Sequence, residues 1–176
     1  HISVMTTLSR RALLTGAAAT GLVTAACTSA RAEDAAERAF ASSPVRRITD
    51  AQWRQRLSPD AYNVLRHEAT ERPGSSPLNR EHRAGTFICA GCELPLFRSQ
   101  WKFESGTGWP SFNAPVEGAV ETSQDRSYGM VRTEVHCATC GSHLGHVFDD
   151  GPAPTFQRYC INGVAMTFEP EGAQAS

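Results

Sequence analysis

The sequence predicts a mainly β protein with two short helices at its N-terminal end. After Arg72-Pro73-Gly74 the chain consists of short, β-branched segments separated by Gly, Pro and Asn, which is a pattern typical of strands and turns. A helical pattern is confined to residues 48–70. At 176 residues, the chain has room for one globular domain and a short additional segment.

The charge balance excludes several classes of partner. The chain carries 17 basic and 18 acidic residues, which gives a formal net charge of −1. It therefore has no overall positive field that would attract nucleic-acid phosphate or acidic lipid. We expect no nucleic-acid partner and a monomeric protein. The apolar stretch at residues 12–26 is too short and too weakly hydrophobic for a membrane span.

The first 32 residues have the composition of an export signal. We expect Met5 to be the start of the chain and residues 1–4 to be a remnant of cloning. Two arginines at positions 10 and 11 precede an uncharged, Ala-rich stretch, Ala12–Ala26, as in twin-arginine signals. We expect cleavage before Glu33 and a location in the periplasm or another extracytoplasmic compartment.

Cys27 offers a competing processing site. It follows Thr24-Ala25-Ala26 in an imperfect lipoprotein pattern and would then carry a lipid anchor. Cleavage before Glu33 instead removes Cys27 and leaves five of the six cysteines. Because five is an odd number, the mature chain cannot pair every cysteine internally.

The mature chain divides into three parts. Residues 33–47 are Ala- and Ser-rich and predict a flexible lead-in, residues 48–170 form the single domain, and residues 171–176 form a tail. Thr49 and Asp50 cap a predicted first helix containing Trp53, and Ser58 opens a second helix containing Tyr62. Segments 85–88 and 130–135 are predicted strands.

Two cysteine knuckles of the same form lie within the predicted β part. They are Cys89-Ala90-Gly91-Cys92 and Cys137-Ala138-Thr139-Cys140, each with a nearby glycine, Gly91 or Gly141, that lets the backbone turn. Four thiolates are what a tetrahedral structural zinc requires, so we predict one Zn²⁺ per chain. The 44 residues between the knuckles exceed the spacing of a simple zinc ribbon. The site must therefore join parts of the chain that a sheet separates.

Two other interpretations of the knuckles stay open. Each knuckle could form a local disulfide in an oxidising compartment, or one could be a redox-active dithiol. The second is weakened because neither knuckle opens a helix after a strand.

Cys160 is then the remaining unassigned thiol of the mature chain. It lies in the strand-like run Arg158-Tyr159-Cys160-Ile161-Asn162, where alternate side chains share a face, so Arg158, Cys160 and Asn162 point the same way. A guanidinium favours a neighbouring thiolate, and a carboxamide can donate to an oxygen formed on the sulfur. The alternative is a buried core cysteine, which is the commonest fate of a lone cysteine.

His143 and His146 lie three residues apart with a glycine between them. Imidazole can deliver a proton near neutral pH, so both are candidate acids at the border of one pocket. They could instead bind zinc together with the second knuckle. That arrangement would be far tighter than a Cys₂His₂ finger and would leave the first knuckle without a metal.

The segment Gly106–Phe112 predicts a rigid turn that holds Trp109 at a surface. Glycines flank Thr107, and Pro110 follows the indole. An aromatic wall suits a polarisable methyl or thioether group. As an isolated feature, however, a Trp is more often a core residue.

Together these segments resemble the B-type methionine sulfoxide reductases, which reduce the R epimer at sulfur. The matching stretches are Cys89–Phe97, Ser105–Phe112, Cys137–Pro152 and Arg158–Asn162, and the similarity extends from about Leu57 to Pro170. The resemblance implies two antiparallel β-sheets, tent-like or barrel-like, with short N-terminal helices and a structural zinc on the four knuckle cysteines.

The resemblance also assigns roles to the candidate site residues. Cys160 is the expected nucleophile, Trp109 faces the substrate methyl group, and Phe148 is a further wall. The remaining active-site positions are matched by His143, His146, Arg158 and Asn162.

The implied reaction is thiolate attack on a methionine sulfoxide, protein-bound or free, with one of the two histidines as the acid. It leaves Cys160 as a sulfenic acid. Many family members carry a resolving cysteine where this chain has Thr107, so we expect an external reductant such as a thioredoxin-like protein.

Two rival functions compete with this interpretation. A zinc-stabilised binding module without turnover gives no reason for two polar neighbours beside the lone thiol. A disulfide oxidoreductase needs one knuckle free of metal.

Overall fold

The computed structural model of the protein describes residues 43–172. The predicted export signal, the lipid-attachment alternative at Cys27, most of the lead-in and most of the tail lie outside the described residues. Pro44–Arg47 forms one turn of 3₁₀ helix where composition predicts a flexible lead-in. Pro44 at the first position favours the turn, and Val45 packs against the core.

Two short α-helices follow, as predicted: α1 (Asp50–Arg56) and α2 (Pro59–His67). A capping box begins α1, since the Thr49 amide donates to the Gln52 side chain at 2.8 Å and the Gln52 amide donates back to the Thr49 hydroxyl at 3.4 Å. Ser58 caps α2 by accepting from the Ala61 amide at 3.2 Å. No helix in the described part of the chain is long and apolar enough to cross a bilayer.

The rest of the described chain forms nine strands in two antiparallel sheets. The strands are β1 (Gly85–Cys89), β2 (Pro95–Arg98), β3 (Lys102–Phe103), β4 (Ser111–Phe112), β5 (Val120–Asp125), β6 (Arg132–Cys137), β7 (His143–Phe148), β8 (Arg158–Ile161) and β9 (Met166–Pro170). The smaller sheet has the order β2-β1-β9, and the larger has the order β3-β4-β8-β7-β6-β5.

The predicted fold class is confirmed, with one correction. Within residues 43–172 the edge strands do not pair with one another, so neither sheet closes and the barrel-like description is wrong. The smaller sheet is completed by the last strand, because Gly85 pairs with Pro170 and Cys89 with Met166.

The core lies between the two sheets and is dominated by aromatic rings. Phe97 of the smaller sheet stacks on Phe112 of the larger one with 4.3 Å between ring centroids, and Phe87 meets Phe112 edge-on at 4.9 Å. The buried faces of both helices, with Trp53 and Leu65, join the same cluster. Packing across the sheets therefore fixes the position of every strand that carries a candidate site residue.

The predicted strand at 130–135 begins later than its apolar character suggests. Pairing with β5 ends at Asp125 opposite Arg132, and the chain between them turns through Tyr128 and Gly129, both at positive φ. Met130 and Val131 consequently lie in an exposed loop before β6.

Candidate functional site

The four knuckle cysteines meet where the end of β1 approaches the end of β6. The closest sulfur pairs join one knuckle to the other, with 3.7 Å between Cys89 and Cys140 and 3.5 Å between Cys92 and Cys137. All four sulfurs lie within 4.8 Å of one another. Tetrahedral zinc with Zn–S bonds of about 2.3 Å separates its sulfurs by about 3.8 Å, so the four thiols fit such an ion.

The two knuckles share one backbone turn. In each, the amide four residues after the first cysteine donates to its carbonyl, Glu93 to Cys89 at 2.8 Å and Gly141 to Cys137 at 2.9 Å. That position has positive φ, 64° at Glu93 and 67° at Gly141. Gly141 thus has the predicted role, whereas in the first knuckle Glu93 takes the position and Gly91 does not.

The alternatives for the knuckles are not favoured by this geometry. The five described cysteines are all free, and the close sulfur pairs cross between knuckles rather than lying within one. The two histidines do not join the cluster, because His143 bonds to Glu134 and His146 to Asp125. The interpretation of the histidines as ligands beside Cys137 and Cys140 is therefore wrong.

Cys160 lies on β8, an inner strand of the larger sheet that pairs with β4 on one side and with β7 on the other. On β8 it is opposite Ser111 of β4 and opposite His146 of β7. Directly opposed residues of antiparallel strands project to the same face, so these three side chains share one face. A pocket of about 130 Å³ opens there, lined by Thr70, Trp109, Arg132, Gly145, His146, Phe148, Cys160 and Asn162.

The structure thus brings together five of the seven predicted catalytic and substrate-binding residues as pocket lining. They are Trp109, His146, Phe148, Cys160 and Asn162. His143 and Arg158 are not among the lining residues. His143 is only 3% exposed, and the Arg158 guanidinium lies over the Phe148 ring at 4.4 Å from its centroid.

Opposing effects act on the Cys160 thiol. Burial raises its pKa, while the Thr107 hydroxyl, with its Oγ1 4.0 Å from the cysteine Sγ, and the Arg158 charge lower it. Arg158 does not act alone, because it binds Asp150 through Nε–Oδ1 and Nη2–Oδ2 contacts of 2.8 and 2.9 Å. The carboxylate offsets part of the guanidinium charge that the sequence predicts for the thiolate.

A chain of hydroxyl groups lies beside the thiol. The Ser105 Oγ is 2.8 Å from the Thr107 Oγ1 and 2.7 Å from the Ser111 Oγ. The three hydroxyls therefore hold each other, and they fix Thr107 next to Cys160.

Each histidine is paired with a carboxylate, but only one faces the pocket. His146 Nε2 donates to Asp125 Oδ2 at 2.8 Å, and Arg132 Nη2 donates to the same oxygen at 2.6 Å. Hydrogen bonds from Ser127 and from His146 hold the pKa of Asp125 well below its usual range, so this partner is anionic. A carboxylate on one ring nitrogen fixes the orientation of the imidazole.

His143 lies behind the pocket. Its Nδ1 is 2.5 Å from Glu134 Oε1, and its Nε2 is buried without a hydrogen-bond partner among the described residues. Burial lowers the pKa of His143, and the nearby Glu134 opposes this. Its ring centroid is 5.5 Å from that of His146. His143 thus supports the wall behind His146.

The Asn162 carboxamide is held on both sides. Its Nδ2 donates to the Leu144 carbonyl at 3.0 Å, and its Oδ1 accepts from the Glu71 amide at 3.0 Å. An amide nitrogen carries two hydrogens, so one N–H of this fixed side chain is left for a ligand in the pocket.

Sequence reasoning missed Glu71, which organises two site residues. Its carbonyl accepts from the Trp109 indole nitrogen at 3.1 Å, and its amide holds Asn162. Its carboxylate accepts from the amides of Gly163 at 2.7 Å and Val164 at 3.0 Å. Nothing in the local sequence marks this residue, because its partners lie far along the chain.

Arg132 and Gly145 were also missed. The Arg132 Nε is buried and has no hydrogen-bond partner among the described residues, although the side chain lines the pocket. A Cβ on Gly145 would stand 2.1 Å from the Cys160 carbonyl oxygen, so only glycine lets β7 approach β8 at this point. The glycine between the two histidines was the available signal.

Comparison with known proteins gives a consistent result. Residues 57–170 match the family model described as the SelR domain. The chain is 57% identical over 124 residues to a protein of Bradyrhizobium diazoefficiens, covering 70% of this chain and 89% of the relative. It is 52% identical over 130 residues to one of Agrobacterium fabrum, covering 73% and 96%, and 56% identical over 120 residues to one of Pseudomonas putida, covering 68% and 90%. All three relatives carry the name peptide methionine sulfoxide reductase MsrB.

Proposed function

This chain belongs to the SelR family of MsrB peptide methionine sulfoxide reductases, and we propose that it reduces the R epimer of methionine sulfoxide, protein-bound or free, at the Cys160 pocket. One observation carries the assignment of the chemistry. Cys160 and His146, a nucleophile and an acid, are direct cross-strand neighbours in a pocket that also contains Trp109 and Phe148. The protein is an oxidoreductase that uses a protein thiol.

The pocket accounts for how the sulfoxide is held. The substrate methyl group packs against Trp109 and Phe148, since aromatic rings attract polarisable sulfur and methyl groups. The sulfoxide oxygen needs hydrogen-bond donors, because its sulfur becomes electrophilic only when the oxygen is protonated or hydrogen-bonded. The lining offers His146, the unpartnered Arg132 Nε–H and the remaining Asn162 Nδ2–H as donors.

The first half-reaction oxidises the thiol by two electrons. The Cys160 thiolate attacks, the sulfur–oxygen bond of the substrate breaks, and the substrate sulfur keeps the electron pair as methionine. The oxygen is transferred to the Cys160 sulfur and takes one proton from His146, which gives a sulfenic acid. Asp125 accepts a hydrogen bond from His146 Nε2 and so holds in position the ring that supplies this proton.

The second half-reaction needs two external thiol groups. One thiol condenses with the sulfenic acid and releases water, and a second thiol displaces Cys160 from the mixed disulfide. The residue whose hydroxyl lies 4.0 Å from the Cys160 sulfur is Thr107, which has no thiol, and the other described cysteines lie in the knuckles. A thioredoxin-like protein is the proposed reductant.

The knuckle cysteines would hold one structural zinc ion, Zn²⁺. A site closed by four thiolates leaves no open coordination position, so the ion contributes folding free energy. The predicted export signal is the support for the proposed extracytoplasmic location, and the protein is proposed to act as a monomer.

An epimer-resolved assay tests the function. Purified protein with dithiothreitol should consume the R epimer and leave the S epimer unchanged, and the Cys160→Ser variant should consume neither, because a hydroxyl is a far weaker nucleophile than a thiolate. Equal consumption of both epimers, or retained activity in Cys160→Ser, would contradict the mechanism. A binding module would turn over neither epimer, and a dithiol oxidoreductase would show no epimer preference.

A further inference from the structure

Exposed apolar side chains are concentrated on two loops at one end of the larger sheet. Tyr128, Met130 and Val131 of the loop 126–131 are 91%, 48% and 70% exposed, and Phe156 of the loop 149–157 is 61% exposed. Within residues 43–172, every large hydrophobic side chain that is exposed lies on one of these loops. Exposed apolar residues scattered singly need no explanation, but a cluster of them marks an interaction site. We call these four residues the apolar rim.

The loops that carry the rim border the pocket. The first loop is closed by the pair Asp125 and Arg132, of which Asp125 holds His146 and Arg132 lines the pocket. The second loop joins Phe148, another lining residue, to its cross-strand partner Arg158. Because β6 and β7 run antiparallel, the start of β6 and the end of β7 lie at the same end of the sheet. Both loops of the rim therefore begin or end next to a residue that lines the pocket.

The backbone of the rim also departs from ordinary loops. Tyr128 has φ of 54° and Phe156 has φ of 56°. A left-handed conformation is uncommon for bulky residues and is easily satisfied by Gly or Asn. Two exposed aromatic residues in this conformation, both beside the pocket, are best explained by a use for their side chains.

We propose that the apolar rim binds the residues that flank a methionine sulfoxide in an exposed or unfolded polypeptide segment. The inference rests on the proposed function. When the sulfoxide sulfur is at Cys160, the unbranched side chain places the substrate main chain at the pocket mouth, where the rim begins. Oxidation makes a buried methionine polar and disrupts the core around it. A sulfoxide in a damaged protein is therefore accompanied by newly exposed apolar neighbours, which the rim can cover.

The test compares peptides that differ only in their flanking residues. One R-sulfoxide peptide carries Leu, Val and Phe around the oxidised methionine, and a second of equal length carries Ser and Gly. The rim variant combines Tyr128→Asn, Val131→Thr and Phe156→Asn. Asn accepts positive φ and Thr keeps the β-branch, so apolar surface is removed while the backbone preferences are kept. Arg126→Gln, in the same loop but outside the rim, is the matched control.

The expected result is a change in preference between the peptides. The ratio of kcat/KM for the apolar-flanked peptide to that for the Ser/Gly-flanked peptide should fall at least about fivefold in the rim variant, through KM, because buried apolar contacts are lost. The ratio for Arg126→Gln should equal that of the unsubstituted protein.

Several outcomes would overturn the proposal. An unchanged ratio in the rim variant would do so, as would equal losses on both peptides. A concentration-dependent dimer in sedimentation that the rim variant abolishes would assign the rim to a second copy of the chain. Failure of the unsubstituted protein to reduce any R-sulfoxide would overturn the proposed function, and the rim with it.

Discussion

Thr107 lies directly beside the proposed nucleophile: its Oγ1 is 4.0 Å from the Sγ of Cys160. The glycines on either side of it, Gly106 and Gly108, both have positive φ and shape the loop that brings it there. A sulfur in place of that oxygen would have to move only about 2 Å to reach the length of a disulfide bond. The chain thus keeps the geometry for an internal disulfide without the second thiol.

Thr107→Cys should restore an internal resolving step. After one equivalent of R-sulfoxide without reductant, the unsubstituted protein should carry a dimedone-reactive sulfenic acid on Cys160, and the variant should carry a disulfide between positions 107 and 160. Peptide mapping by mass spectrometry distinguishes the two products. A disulfide in the unsubstituted protein that involves a knuckle cysteine would show that the division into zinc ligands and a single nucleophile is wrong.

His146 and His143 should differ sharply as acids. His146→Asn should lower kcat for the R-sulfoxide by about 100-fold or more, since it removes the proton donor of the pocket. His143→Asn should have a smaller effect on kcat, because its ring is buried behind the pocket. Single-turnover kinetics measures both. A larger loss of the chemical step in His143→Asn than in His146→Asn would exchange their roles.

Asp150→Asn should move the pH–rate profile to lower pH. The reaction requires the thiolate, so the rate rises with pH through the pKa of Cys160. Arg158 lowers that pKa and Asp150 raises it, so removing the carboxylate leaves a lower pKa and a higher rate below the profile's midpoint. Arg158→Met should move the profile the opposite way. Ultraviolet titration of the thiolate checks both directions independently, and a shift of Asp150→Asn to higher pH would refute the assignment.

Removing a knuckle cysteine should unfold the domain. Cys140→Ser should lose the zinc ion. Structural zinc sites contribute about 10–16 kcal/mol of folding free energy, so the free energy of unfolding should fall by several kcal/mol. Elemental analysis and thermal unfolding measure the two effects together. Cys160→Ser is the matched control and should keep both the metal and the melting temperature. A metal-free Cys140→Ser with an unchanged melting curve would rule out a structural zinc.

Glu71→Ala should impair the site without touching the reacting atoms. The amides of Gly163 and Val164 lose their acceptor, so Asn162 and Trp109 are held less firmly, and kcat/KM should fall about 10- to 100-fold. Indole fluorescence, with a Trp109→Phe background subtracted, should report a changed environment for Trp109. Glu71→Gln should recover part of the activity, because its carbonyl accepts one of the two hydrogen bonds. Glu68→Gln, in the same segment, should match the unsubstituted protein in both readouts.

Local signals were sufficient for some of these features and not for others. The helix caps at Thr49 and Ser58 and the two cysteine knuckles each depend on residues a few positions apart, so the sequence predicted them directly. The alternation around Cys160 predicted its shared face with Arg158 and Asn162. Met130 and Val131 misled the strand prediction because apolar residues occur both in buried strands and in exposed loops such as this one.

Long-range pairs explain what remained hidden. Glu71 contacts residues about ninety positions away, and Asp125 on β5 reaches His146 on β7 across the intervening strand β6. Neither contact leaves a pattern in neighbouring residues, because each depends on how the sheet brings distant segments together. The Asp150 partner of Arg158 was hidden for the same reason, although it is only eight residues away in the chain.

The pairing of β1 with β9 sets the order in which the molecule can form. On the side of β1 that faces β9, Gly85 has no partner until Pro170 has been synthesised. The smaller sheet therefore cannot be completed while the ribosome still holds β9. Contacts of such high sequence separation form slowly, because the entropy of a long loop is lost before they stabilise the structure. The smaller sheet should therefore be completed only after the segment up to Pro170 has left the ribosome, and any factor that acts on the chain before then meets β1 and β2 without β9.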